Sequence, residues 1–137
     1  MELRDDIYNT ITALTKQGDD EFNAENYDEA LEFYNQALDC LPVPKEEWEA
    51  IVWIYAAIGD AYFMKEDYEE ALYYFHKLVV ELNVIDNPFI FLRTGECYYE
   101  MGEKVFAKDY LIRAMALGGD EIFDYEESKY RDFCVKN

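Results

Sequence analysis

Few residues in this chain have the type and spacing that catalysis needs. The one histidine, His76, stands between Phe75 and Lys77, a setting that suits a surface or packing residue better than a general base. Acid pairs abound, Asp19-Asp20 and Glu69-Glu70 among them. Two carboxylates divide acid and base roles only in a desolvated cleft that drives their pKa values apart; on a solvated face they supply charge and nothing more. Cys40, Cys97 and Cys134 are scattered, odd in number and without CxxC spacing, which favours reduced thiols over a disulfide frame or a zinc site. Phosphate-cradling and nucleophile-elbow motifs (P-loop, GxGxxG, GxSxG) are missing from the sequence. The expectation is a chain that is no enzyme and needs no metal or cofactor. Its acids and aromatics are suited to recognition.

The elements that would position them are organised around residues 51–82, IVWIYAAIGDAYFMKEDYEEALYYFHKLVVEL. Apolar residues recur at helical spacing on both sides of Glu66-Asp67, so the stretch reads as two amphipathic helices with a turn between them. Asp67 followed by Glu70 has the form of a capping box. Gly59 and Ala71 are the small residues that would let the two helices approach. The unit recurs, with Gly and Ala separated by 12 residues at 18 to 30, 59 to 71 and 95 to 107. Successive units start 41 and 36 residues apart, near the period of about 34 residues of one helical repeat class.

On these residues the chain resembles the tetratricopeptide repeat family, small three-repeat bacterial members included. The carrying positions are Gly18/Gly59/Gly95, Ala30/Ala71/Ala107, the aromatics Tyr62 and Tyr98, and Pro42 at a repeat end. The resemblance implies an all-α fold, an α-solenoid of three helix-turn-helix repeats (about 11–44, 52–85 and 88–119) with a C-terminal cap over 120–135, in one domain. It also implies a groove lined by the first helix of each repeat. Carried over residue by residue, the groove positions are Thr12, Thr15, Asp19, Phe22 and Asn23; then Trp53, Ala56, Asp60, Phe63 and Met64; then Phe89, Leu92, Glu96, Tyr99 and Glu100. Aromatics at Phe22, Trp53, Phe63, Phe89 and Tyr99 would anchor a partner. Family members that grip a C-terminal carboxylate use basic and amide residues here, whereas this chain places Asp19, Asp60 and Glu96 after the signature glycines. A cationic ligand is favoured.

Charge points the same way. Thirty-one acidic against 12 basic residues give a formal −19 in 137 residues, which disfavours nucleic acid and anionic membrane and favours a basic protein. Hydrophobic content of 51% supports one folded domain with a core. No apolar run approaches the ~20 residues that span a bilayer. The acidic N-terminus lacks a secretory signal, and a cytoplasmic monomer is expected.

In chain order, residues 2–24 read as a long first helix. Asn26 is expected to cap the second, with Glu29 at the box position and a core face of Leu31, Tyr34, Ala37 and Leu38. Between Gln17 and Pro44 eight acids stand without one Lys or Arg. Residues 45–48 should extend the third helix at its start, and Pro88 suits the first turn of the fifth. The turn at Gly102-Glu103-Lys104 lacks a good cap, so the third repeat should be the least well defined. The tail, with Phe123, Tyr130, Phe133 and Cys134 at roughly helical spacing, would cover the last repeat or lie in the groove until a partner displaces it.

A protein-interaction module is the function this implies. An immunity protein neutralising a basic toxin domain, for instance a nuclease, is the first expectation; the tail EIFDYEESKYRDF resembles the ends of small repeat proteins of that kind. The alternative is a chaperone for secreted translocators of type III secretion, whose members NPFIFLRTGECYYEMGE resembles. A third is an assembly scaffold.

Overall fold

The computed structural model describes residues 3–136. Among them it contains seven α-helices and no strand: α1 Asp5–Asn23, α2 Tyr27–Cys40, α3 Ala50–Met64, α4 Tyr68–His76, α5 Pro88–Glu100, α6 Lys104–Gly118 and α7 Ser128–Val135. Short 3-10 turns lie at Lys45–Glu47 and Asp120–Phe123, and α4 runs on into a π-helical turn at Lys77–Glu81. The described residues form two compact units, divided in sequence between Glu66 and Asp67, inside the turn that follows α3. Among the described residues no helix is long and apolar enough to cross a membrane.

In the first unit α1 and α2 form a hairpin and α2 packs on α3. Glycine sets the closeness of the hairpin: a Cβ on Gly18 would lie 2.5 Å from Cε1 of Tyr34. Ala30 is fully buried beside it in sequence register, and Ile11, Leu31, Tyr34 and Ala37 complete the interior with Ile51, Ile54 and Ile58 of α3. Leu38, expected in the core, is only half-buried.

The turn after α1 closes by backbone alone. Glu25 N–H donates to Phe22 O at 2.9 Å and Asn26 N–H to Glu21 O at 2.8 Å, the paired bonds of a Schellman motif, with Glu25 left-handed at φ 64°. Asn26 occupies the N-cap position of α2 but makes no side-chain cap. Its Nδ2 turns back instead and donates to Glu21 Oε2 at 3.0 Å.

Residues 45–48 do not extend α3. They form a separate 3-10 turn, because Trp48 is extended (φ −95°, ψ 137°) and breaks the run. The turn closes α2: Lys45 Nζ donates to Leu38 O at 2.9 Å and Leu41 O at 2.8 Å, placing a cation on the negative end of the helix dipole. Trp48 Nε1–H donates to Pro42 O at 2.8 Å.

In the second unit α4 packs on α5, and α5 pairs closely with α6. Asp67 Oδ1 accepts from Glu70 N–H at 3.4 Å, a long but real cap. Pro88 opens α5, and Asn87, not foreseen as a cap, accepts from Phe89 and Ile90 N–H. A Cβ on Gly95 would meet Leu111 at 2.8 Å, as Gly18 meets Tyr34 sixteen residues on. Glu103 makes no side-chain cap, as expected. The third repeat is nevertheless fully formed. Gly102 takes φ 82° and closes the turn with bonds from Gly102 to Tyr99 O and Glu103 to Tyr98 O. Glycine carries there the left-handed conformation that the equivalent Glu25 and Glu66 (both φ 64°) adopt at a steric cost.

Candidate binding surface

The first helix of the first unit spaces its residues as expected, but their surroundings differ. Thr15 is buried and donates to Ile11 O, while Thr12 is exposed and donates to Tyr8 O. Asp19 accepts from the Tyr34 hydroxyl at 2.6 Å. Burial first, then the bond to Asp19 and the charge of Asp60, push the Tyr34 phenol well above its usual range. Asp19 of α1 and Asp60 of α3 therefore act on the same hydroxyl. Asp60 also bears on Tyr27, against which Phe22 packs edge-on at 5.2 Å. Asn23 is exposed, Phe63 half-buried and Met64 40% exposed.

Trp53 belongs to a different group. It is 40% exposed and lines a cleft of about 290 Å³ with Leu3, Asp5, Tyr8, Trp48, Glu49 and Ala50. Both tryptophans of the chain thus line one cleft. Trp48 was read only as part of a helix extension, and Tyr8 and Asp5 were not singled out. Two tryptophans five residues apart were the available signal.

In the second unit the tail covers what was expected to face a partner. Glu96, foreseen as an acid on an open wall, is completely buried. Its Oε1 accepts from Arg93 Nη1 at 2.7 Å, and the same Arg93 nitrogen pairs with Glu126 from the tail. Burial raises the Glu96 carboxyl to about 9 against the pull of Arg93, and Glu126 adds to the rise. Glu96 therefore holds its proton at neutral pH. Its Oε2 has no donor among the described residues, and the pairing with Glu126 favours the protonated acid.

Glu100 and Tyr99 are held by the tail as well. Glu100 Oε2 accepts from Tyr130 Oη and from Lys129 Nζ, both at 2.8 Å. Burial works to raise the Glu100 carboxyl, but Lys129 and Tyr130 outweigh it and hold it low. Tyr99 packs edge-on against Tyr130 at 5.4 Å and Phe133 at 5.2 Å, with Lys104 Nζ 3.3 Å from its ring centre. Lys108 donates to Phe133 O at 3.2 Å near the end of α7. Leu92 is buried. Phe89 alone of this stripe stays more than a third exposed, with the Arg93 guanidinium 4.9 Å from its ring. The cap is thus a 3-10 turn and an eight-residue helix tied polar group by polar group to α5. Tyr130 was expected in the covering tail, whereas Glu126 and Lys129 were ties that sequence reasoning did not single out.

Of the eight acids between Gln17 and Pro44, all but Glu21 are exposed, so the first unit is strongly negative across α1 and α2. Among the described residues no group of His, Cys, Asp and Glu is placed to hold a metal ion.

Comparison with known proteins fits this geometry. The first repeat domain of Spaghetti (RPAP3), solved bound to the HSP90 peptide SRMEEVD, is 17% identical, with a TM-score of 0.73 over 91% of this chain and 90% of that one. The Yersinia enterocolitica type III secretion chaperone SycD, solved with a peptide of the translocator YopD, is 15% identical, with a TM-score of 0.72 over 92% and 90%. Likeness at such identity concerns the fold. A family profile of the tetratricopeptide repeat matches residues 9–78, just over half of the sequence, and the chain belongs to the tetratricopeptide repeat family.

Proposed function

We propose that the chain is a protein-binding module that takes a basic protein partner through the acidic, aromatic surface of its first unit. The observation that carries this is the cleft of Tyr8, Trp48 and Trp53, lined also by Asp5 and Glu49, both exposed. Large aromatics supply the desolvated anchors of an interface, and a field from a formal −19 steers a cationic partner to them. Asp19, Phe22, Asn23, Trp53, Asp60, Phe63 and Met64 are the contact residues of this reading. Glu96, Tyr99 and Glu100 have another task, holding the tail.

In its finer form the partner is a folded basic toxin domain and the chain its immunity protein, a reading supported by the charge. A second reading, a chaperone for secreted translocators, is supported by the likeness to SycD with its bound translocator peptide. Photo-crosslinking from p-benzoylphenylalanine at Trp53 or Met64 tests the shared claim, with Tyr125 of the tail as the control position. The expected product is a basic protein, and its association with the purified chain should slow as salt is raised from 50 to about 300 mM, as screening shortens the reach of exposed charges. Folded against extended partner then separates the two finer forms. An acidic partner, salt-insensitive association, or crosslinks from Tyr125 alone would refute the proposal.

A further inference from the structure

Two helices start at the aromatic cleft of the first unit, α1 at Asp5 and α3 at Ala50. Each N-terminus carries roughly half a positive charge, and bare ends of this kind draw anions. Here full carboxylates, Asp5 and Glu49, line the same cleft. Two whole negative charges against two half positive ones leave it negative. The cations nearest in sequence are committed elsewhere, Arg4 to Asp6 at 2.7 Å and Lys45 to the carbonyls ending α2.

The aromatic walls suit a cation too. Trp48 is held by its bond to Pro42 O, so part of the ordering cost of binding is already met. Trp53 and Tyr8 stay 40% and 52% exposed, and an indole or phenol face attracts a cation laid over it. The volume, about 290 Å³, is at the low end for ligand pockets and matches one side chain rather than a helix. A planar, weakly hydrated guanidinium stacks on such a face better than an ammonium.

Building on the reading above, we infer that this cleft is a subsite for one arginine side chain of the basic partner, stacked on an indole and balanced by Asp5 and Glu49. The test uses small probes and the indole N–H resonances of Trp48 and Trp53, assigned with Trp53→Phe. N-acetyl-arginine methylamide should shift both signals saturably at millimolar concentration. The lysine analogue should bind several-fold more weakly, and the neutral, isosteric citrulline analogue should leave the signals in place. Asp5→Asn combined with Glu49→Gln, both exposed and cheap to replace, should weaken the arginine probe at least fivefold. Equal shifts from citrulline, or shifts from inorganic phosphate instead, would overturn the subsite. So would a basic partner that binds the double variant as tightly as the parent, though the interaction reading would survive. An arginine shift that persists when no basic protein binds would sustain the subsite and remove the broader reading.

Discussion

Replacing Glu96 by Gln isolates one buried proton. The carboxyl is completely buried, bonded to Arg93 through one oxygen, and raised from 4.5 to about 9 by burial, with Glu126 adding to the rise. Glutamine keeps the shape, accepts from Arg93 through its oxygen, and donates from its amide toward Glu126 as the protonated acid does. What it removes is the titration. A group whose folded pKa lies above its unfolded one holds a proton in the folded state that the unfolded chain has already released. Its contribution is fully present below pH 4.5 and drains away as pH rises toward about 9. The slope for a single proton approaches 1.4 kcal/mol per pH unit, so the wild type should lose about 3 kcal/mol between pH 6 and pH 8 from this group alone.

Glu100 is held low by Lys129 and Tyr130, so its contribution is lost only as pH falls, below this window. Arg93 stays charged throughout. Urea unfolding of both proteins at pH 5, 6, 7 and 8, followed by far-ultraviolet circular dichroism, reads the difference. The two should be within about 1 kcal/mol at pH 5, and the variant should gain on the wild type by roughly 1.4 kcal/mol with each further pH unit up to pH 8. Parallel stability curves would refute the buried proton, because they would mean that Glu96 ionises alike in the folded and unfolded chains.

Other expectations follow from close contacts and backbone angles. Gly18→Ala and Gly95→Ala each place a methyl under 3 Å from Tyr34 or Leu111 and should cost about 1–3 kcal/mol in denaturant unfolding. Gly102→Ala, at φ 82° with open space around it, should cost about 1–2 kcal/mol from backbone strain alone, whereas Glu25→Gly should be neutral or mildly stabilising. Tyr130→Phe removes the hydroxyl bonded to Glu100 but leaves the ring on Tyr99. It should cost about 1–2 kcal/mol and raise amide exchange in α7 ahead of α5.

The repeat was legible because a close helix crossing tolerates only small residues, and Gly18, Gly95, Ala30 and Ala107 mark it in a linear code. Turn chemistry was less so. Asn26 has the side chain of a cap, but the backbone bonds of the Schellman turn had already fixed the chain there, and its amide went to Glu21 instead. The start of α3 failed for a similar local reason: Lys45 gains more by closing α2 than by beginning a new helix, and Trp48 extends to reach Pro42. For the binding surface, repeat spacing gave the face of each helix but not what covers it. Nothing in the spacing of Glu96, Tyr99 and Glu100 distinguishes them from Asp60, Phe63 and Met64. The difference lies some 30 residues away, in Glu126, Lys129 and Tyr130.

That separation has a consequence for the acids after the signature glycines. The same position reads as an acid three times, yet Asp19 is exposed and bonded to a tyrosine, Asp60 is half-buried beside two tyrosines, and Glu96 is sealed in with its proton. A carboxyl that keeps its proton adds nothing to the negative field of the chain. The formal charge overstates the negative potential where the tail is seated.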